Sequence, residues 1–187
     1  MKPIRIPRVL HEVLGEEQGA LEIALVALGG LAAAASFAAF APIGTASTVA
    51  GLLALLLAAD LGAGSAANFT RGTSDYYAVR PKLRWVFIAI HLHLPAMALL
   101  MGVDLGPSAA VWAYTVGAAS AVNVFSLRWQ IALAGALVAL GTMLIGLLAW
   151  DSPALRLAAG LFLLKVAYAF AVDHYAADRG RSTGGRT

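Results

Sequence analysis

The sequence predicts an all-α, polytopic membrane helix bundle: six transmembrane helices preceded by an N-terminal amphipathic helix in the membrane interface. Three observations predict it. Of the 187 residues, 60% are hydrophobic and only 12% are charged, against about a quarter charged in a soluble domain. The missing charge is concentrated in blocks: residues 23–59, 85–103, 105–127 and 129–150 carry none. Each block holds about 20 apolar residues, enough for a helix to cross a bilayer. Finally, the lysines and arginines fall into short connections that alternate along the chain, the pattern that orients membrane helices.

Taken in order, Ile6, Val9, Leu10, Val13 and Leu14 follow helical spacing, with Arg8, His11, Glu12 and Glu16 on the other face. That pattern suits an amphipathic helix over 6–17, lying in the interface or folded under the bundle. The first span runs from Ala20 to Phe40 and stops at Pro42 and Gly44. It starts too late and runs too long for a cleaved leader. The second covers Ala46 to Ala66, the third Leu83 to Val103 and the fourth Ser108 to Ser126. The fifth covers Trp129 to Trp150 and the sixth Pro153 to His174, followed by a flexible tail over 175–187. The whole chain, 1–187, forms one transmembrane domain, with the bundle over 20–174.

With six spans, eleven of the thirteen basic residues fall on one side, Arg156 and Lys165 excepted. Both termini are then expected in the cytoplasm and the protein in the plasma (inner) membrane. The sequon at Asn68 lies on the same side, so it is not read as a glycosylation site. "GAGSAANF" from Gly62 resembles "GAASAVNVF" from Gly117, and each is followed by "LRW". Spans two and three therefore read as a duplicate of spans four and five. The small residues in these stretches, and in "GGLAAAASFAAFA" of span one, suit close helix packing in lipid.

Five polar side chains fall inside the apolar layer: Asp60, His91, Asn123, Lys165 and Tyr168. Ionisable groups in lipid are costly and mark pathways or sites. Pro95 lacks an N–H, which leaves the carbonyl of His91 without its helical partner. His91 and His93 lie about 200° apart on a continuous helix. His91 is therefore expected to line a cavity and His93, on the other side of the helix, to bond a neighbouring helix for packing. Asp60 and Lys165 are expected to pair, with Tyr168 on the lysine's face. The bland reading makes these groups packing contacts and a snorkelling lysine. The connection "NFTRGTSDYYAVRPKLR" adds Asn68, Thr70, Ser74, Asp75, Tyr76, Tyr77 and Arg80 as headgroup or anion ligands. Its bland reading is an interfacial loop with aromatic anchors.

The chain has no cysteine, which excludes disulfides and thiolate chemistry. It shows no phosphate-loop, dinucleotide, zinc or triad signature, so no metal site or cofactor is assigned. The basic residues sit in connections between spans and do not imply nucleic acid. The expected partners are the lipid bilayer and a small-molecule or lipid ligand; a homo-oligomer or larger complex stays open. The expected function is transport or permeation of a small solute or ion, with proton linkage, through a cavity open to the cytoplasm. Two alternatives stand beside it. One is an enzyme acting on a lipid or isoprenoid headgroup through Asp60, His91, Asp173 and His174. The other is a non-catalytic subunit of a membrane complex.

Overall fold

In the computed structural model, which describes residues 3–42, 48–125 and 127–179, the chain is helical apart from two strands of two residues each. The strands, β1 (Ile4–Arg5) and β2 (Glu17–Gln18), pair antiparallel and enclose α1 (His11–Leu14). The helices of the bundle are α2 (Ala20–Phe40), α3 (Val49–Asn68), α5 (Pro81–Ile90), α6 (His93–Met101), α7 (Leu105–Val124), α8 (Leu127–Leu147) and α9 (Pro153–Leu163). A short helix, α4 (Arg71–Ala78), lies between α3 and α5, and α9 continues into a π-helix over Leu164–Phe170.

Local chemistry fixes the helix starts. The Thr48 hydroxyl accepts from the Gly51 amide at 3.0 Å to open α3, and the Asp104 carboxylate accepts from Gly106 at 3.0 Å to open α7. Ser152 caps α9, with Pro153 in the first turn, where a missing N–H leaves no intrahelical bond unmade. The helices α2 and α3 pack backbone to backbone: a Cβ at Gly29 would lie 2.8 Å from the Gly62 carbonyl oxygen. The last helix is the axis of the bundle. Leu155, Phe162 and Val166 share one buried core with Leu61 of α3, Met97 of α6 and Val111 of α7.

Among the described residues, five helical stretches are long and apolar enough to cross a membrane: 20–40, 49–68, 81–101, 128–147 and 153–170. Their length and composition are those of a multi-pass helical membrane bundle. The expected fourth span, α7, has spanning length at 20 residues, but Gly, Ser, Thr, Tyr and Asn dilute its apolar character and it is not among the five.

Other expectations are corrected in detail. The third span is two helices: Pro95 cannot bond to the His91 carbonyl, and the chain turns there. His91 sits at φ −77°, ψ 73°, and the Leu92 amide bonds back to Ile90 O at 2.8 Å, an inverse γ-turn. Pro95 then occupies the first turn of α6, which needs no amide from it. The amphipathic helix expected over 6–17 is instead a 3₁₀ turn (Arg8–Leu10), the one-turn α1 and the strand pair. Gly15, at φ 72°, stops α1 and turns the chain back, a conformation costly for residues with a side chain. Val9 remains 84% exposed, so this segment keeps an outward apolar face. The expected tail starts in contact with the bundle. The Tyr175 hydroxyl donates to Phe69 O at 3.0 Å, and residues 176–179 form a helical turn; positions 180–187 lie outside the described residues. The expected span limits at Ala46 and Ser126, and the stop at Gly44, also fall outside them.

Candidate functional site

Three helices and the γ-turn meet around Asp60. From α3, its Oδ2 accepts two hydrogen bonds: Lys165 Nζ, from the π-helix, at 2.5 Å, and His93 Nε2, from the start of α6, at 2.8 Å. Lys165 Nζ also lies 3.4 Å from the Asp60 backbone oxygen. The ammonium reaches this position because residue 64 has no side chain: a Cβ there would stand 2.7 Å from Nζ. The two partners differ in access. The Asp60 side chain is 41% exposed and that of Lys165 only 4%.

The hydrogen bonds fix the histidine tautomers. Accepted by a carboxylate, His93 Nε2 carries a proton, and its Nδ1 is buried with no partner among the described residues. The buried Nδ1 has no acceptor for an N–H, so the Nε2–H tautomer fits the site, and the charges of Asp60 and Lys165 cancel. His91 Nδ1 donates to Phe87 O at 2.5 Å, which leaves Nε2 as the ring's acceptor. The two imidazoles stack with centroids 4.9 Å apart and planes 25° from parallel. His93 does bond a neighbouring helix, through Asp60 of α3, but the expectation that it faces away from the cavity is corrected. The γ-turn between the two residues resets the helical rotation and brings both rings to one cavity. The His91 carbonyl, expected to stay free for a water or solute, accepts from Trp112 Nε1 at 3.1 Å.

The cavity holds about 170 Å³ and is lined by Asp60, Gly64, Asn68, His91, His93 and Lys165, with Phe87, Ile90 and Tyr77 closing the sides. Glu12 and Val13 of the N-terminal segment also line it, and the Tyr77 hydroxyl donates to Glu12 O at 2.9 Å. Burial, with Glu12 and Tyr76 nearby, pushes the Tyr77 phenol above its usual range, so it stays a neutral donor. At about 30 Å³ per molecule the space accommodates roughly five waters. Asn68 turns its amide nitrogen to the Lys165 carbonyl at 3.3 Å, in the π-helix, and keeps its side-chain oxygen as an acceptor.

Other sequence candidates sit elsewhere. Asn123 accepts from Arg84 Nε at 2.8 Å, and the same guanidinium donates to the carbonyls of Phe170 and Ala171 at 3.2 and 2.9 Å. Arg84 thus caps the last helix from inside the bundle. Tyr168 packs on Phe69 and His174, because residues in a π-helix repeat at about four to five rather than three to four. Thr70 caps α4 and, with Thr73, receives the Gln18 side chain from β2. Ser74 is buried on α4, facing a small void beside Arg84. Asp75 pairs with Arg71 and Arg179, while Arg80 stacks over Tyr76 at 3.9 Å and pairs with Glu16 at 2.8 Å. Asp75, Tyr76 and Arg80 line an open groove of about 540 Å³ against β2, outside the buried cavity. Asp173 bonds Arg179, and neither it nor His174 lines the cavity.

Sequence reasoning missed His93, Gly64, Glu12 and Gln18 as parts of this arrangement. The signal for His93 was Pro95, two residues on, which marks a break in the helix. No group of three metal-ligating side chains stands together among the described residues. No family model matches the chain, and neither the curated proteins nor the solved structures contain a match.

Proposed function

We propose that this chain is a small transport or permeation protein, moving a small solute or ion with proton linkage through the cavity at the α5–α6 break. One observation carries the reading. Two ionisable groups from separate elements, Lys165 and His93, converge on a single carboxylate oxygen of a third, Asp60, inside spanning helices, at a discontinuous helix. Broken helices whose ends face ionisable groups are a recurring way of building solute sites in membranes. A pair kept only for stability needs neither a cavity nor a third group.

In this reading α7 is the sixth span, both termini face the cytoplasm, and the protein sits in the plasma membrane. Its support is the segregation of basic residues onto the side of α4, whose Tyr77 lines the cavity. Glu12 and Val13 of the N-terminal segment line it beside Tyr77. The enzyme reading has less support, because Asp173 and His174 line no part of the cavity.

The test is purified protein in liposomes containing a pH-sensitive dye. With an imposed pH gradient, wild-type vesicles should lose the gradient faster than empty ones, and His93→Ala vesicles should match the empty ones. Equal rates for all three would reject the reading.

A further inference from the structure

We infer that the cavity binds one small monovalent cation, ammonium or an alkali ion, in exchange for one proton from Lys165. The inference rests on the same site as the transport reading and names its ligand class.

The sign of the ligand follows from access. A molecule entering the cavity meets Asp60, 41% exposed, and not Lys165, at 4%. Both hydrogen bonds to the carboxylate fall on Oδ2. Oδ1 takes none among the described residues. The other open polar atoms are also acceptors: the side-chain oxygen of Asn68 and Nε2 of His91. Three acceptors and no free cation around about 170 Å³ suit a ligand that is positive, small and either hard or rich in N–H.

The exchange follows from charge. Asp60 and Lys165 cancel, and the buried Nδ1 of His93 has no acceptor for a further N–H among the described residues. A second cation would leave a net charge buried among apolar helices, which is strongly unfavourable. Of the groups facing the site, neither imidazole has an acceptor placed for a second N–H among the described residues, and Tyr77 is neutral. Glu12 lines the cavity but is exposed, so water already solvates its charge. Lys165 can restore neutrality by losing a proton, as buried lysines do readily. One Nζ–H bond breaks, the electron pair stays on nitrogen, and the proton leaves through cavity water. The neutral amine then becomes a fourth acceptor.

The experiment titrates unbuffered, purified full-length protein with NaCl, KCl and NH₄Cl, each blank-corrected. N-methylglucamine chloride serves as a cation too large for the cavity. Saturable release of about one proton per chain, with one of the small cations only, is expected, and the active salt separates ammonium from alkali ions. Apparent affinity should tighten about tenfold per pH unit toward alkaline pH, because the proton is the competitor. Lys165→Met should abolish the release. If that variant does not fold, the wild-type pH dependence decides alone. Cation binding, read as a thermal shift, without proton release overturns the proposal, and so does no response to any salt. Vesicles that still dissipate a proton gradient in the latter case would leave the transport reading standing.

Discussion

A single oxygen of Asp60 holds both Lys165 and His93, so changes at these residues should not be additive. Breaking a buried ion pair costs about 3–5 kcal/mol because a lone charge stays behind. Asp60→Asn strands an ammonium that is 4% exposed and should fall in that range. Lys165→Met strands a carboxylate that is 41% exposed and should cost less. The double variant should cost less than the sum, read from detergent melting of all four proteins; additive losses would reject the coupling. His174 gives a pH signature of its own. Burial holds its imidazole below the usual range, although Asp173 pulls the other way, so it folds neutral. The unfolded chain takes up the proton first, and stability should fall as pH drops below about 6.5. His174→Gln should flatten that part of the melting-temperature profile relative to wild type. The Asp60–Lys165 pair was legible in the sequence because depth along two helices and the cost of burying charge suffice to predict it. The choice between His91 and His93 was not legible, since it depends on rotation, and the γ-turn at His91 changes the rotation.

At the scale of elements, three irregularities set the site, and each has a local cause. Pro95 breaks the third span, the π-helix turns Tyr168 away from the lysine's face, and Gly15 folds the N-terminal segment back. Only the first announces itself in the sequence. A π-helix has no residue signature, and the apolar spacing over 6–17 is the same in one helix as in two short turns. Gln18 bonds Leu14 O within that segment and ties the segment to α4 through the hydroxyls of Thr70 and Thr73. Gln18→Ala removes buried hydrogen bonds worth about 1–3 kcal/mol in total. Amide exchange should therefore rise over residues 8–18 while the spanning helices stay protected. Unchanged exchange there would show that the segment is held by something other than Gln18.

For the whole molecule, the apolar blocks and the alternation of basic residues predicted a helical membrane bundle, and five spanning stretches agree. The sixth was read from its charge-free run and from the alternation of basic residues, but Gly, Ser, Thr, Tyr and Asn dilute the apolar character of α7 and it is not among the five. Orientation can be tested without background, as the chain has no cysteine. Glu16→Cys and Gly106→Cys place exposed thiols at opposite ends of the bundle. In intact cells an impermeant maleimide should label the second and not the first. Labelling of both or the reverse pattern would contradict six spans with cytoplasmic termini.

The central claim is that the Asp60–His93–Lys165 cluster works rather than merely holds helices together. The most direct measurement is gradient dissipation in liposomes by the Asp60→Asn, Lys165→Met double variant. That protein keeps the cavity and strands no charge, so it should fold. The account predicts a folded protein, by gel filtration and melting, whose vesicles dissipate the gradient no faster than empty ones. A folded double variant with wild-type flux would make the pair structural and contradict the account.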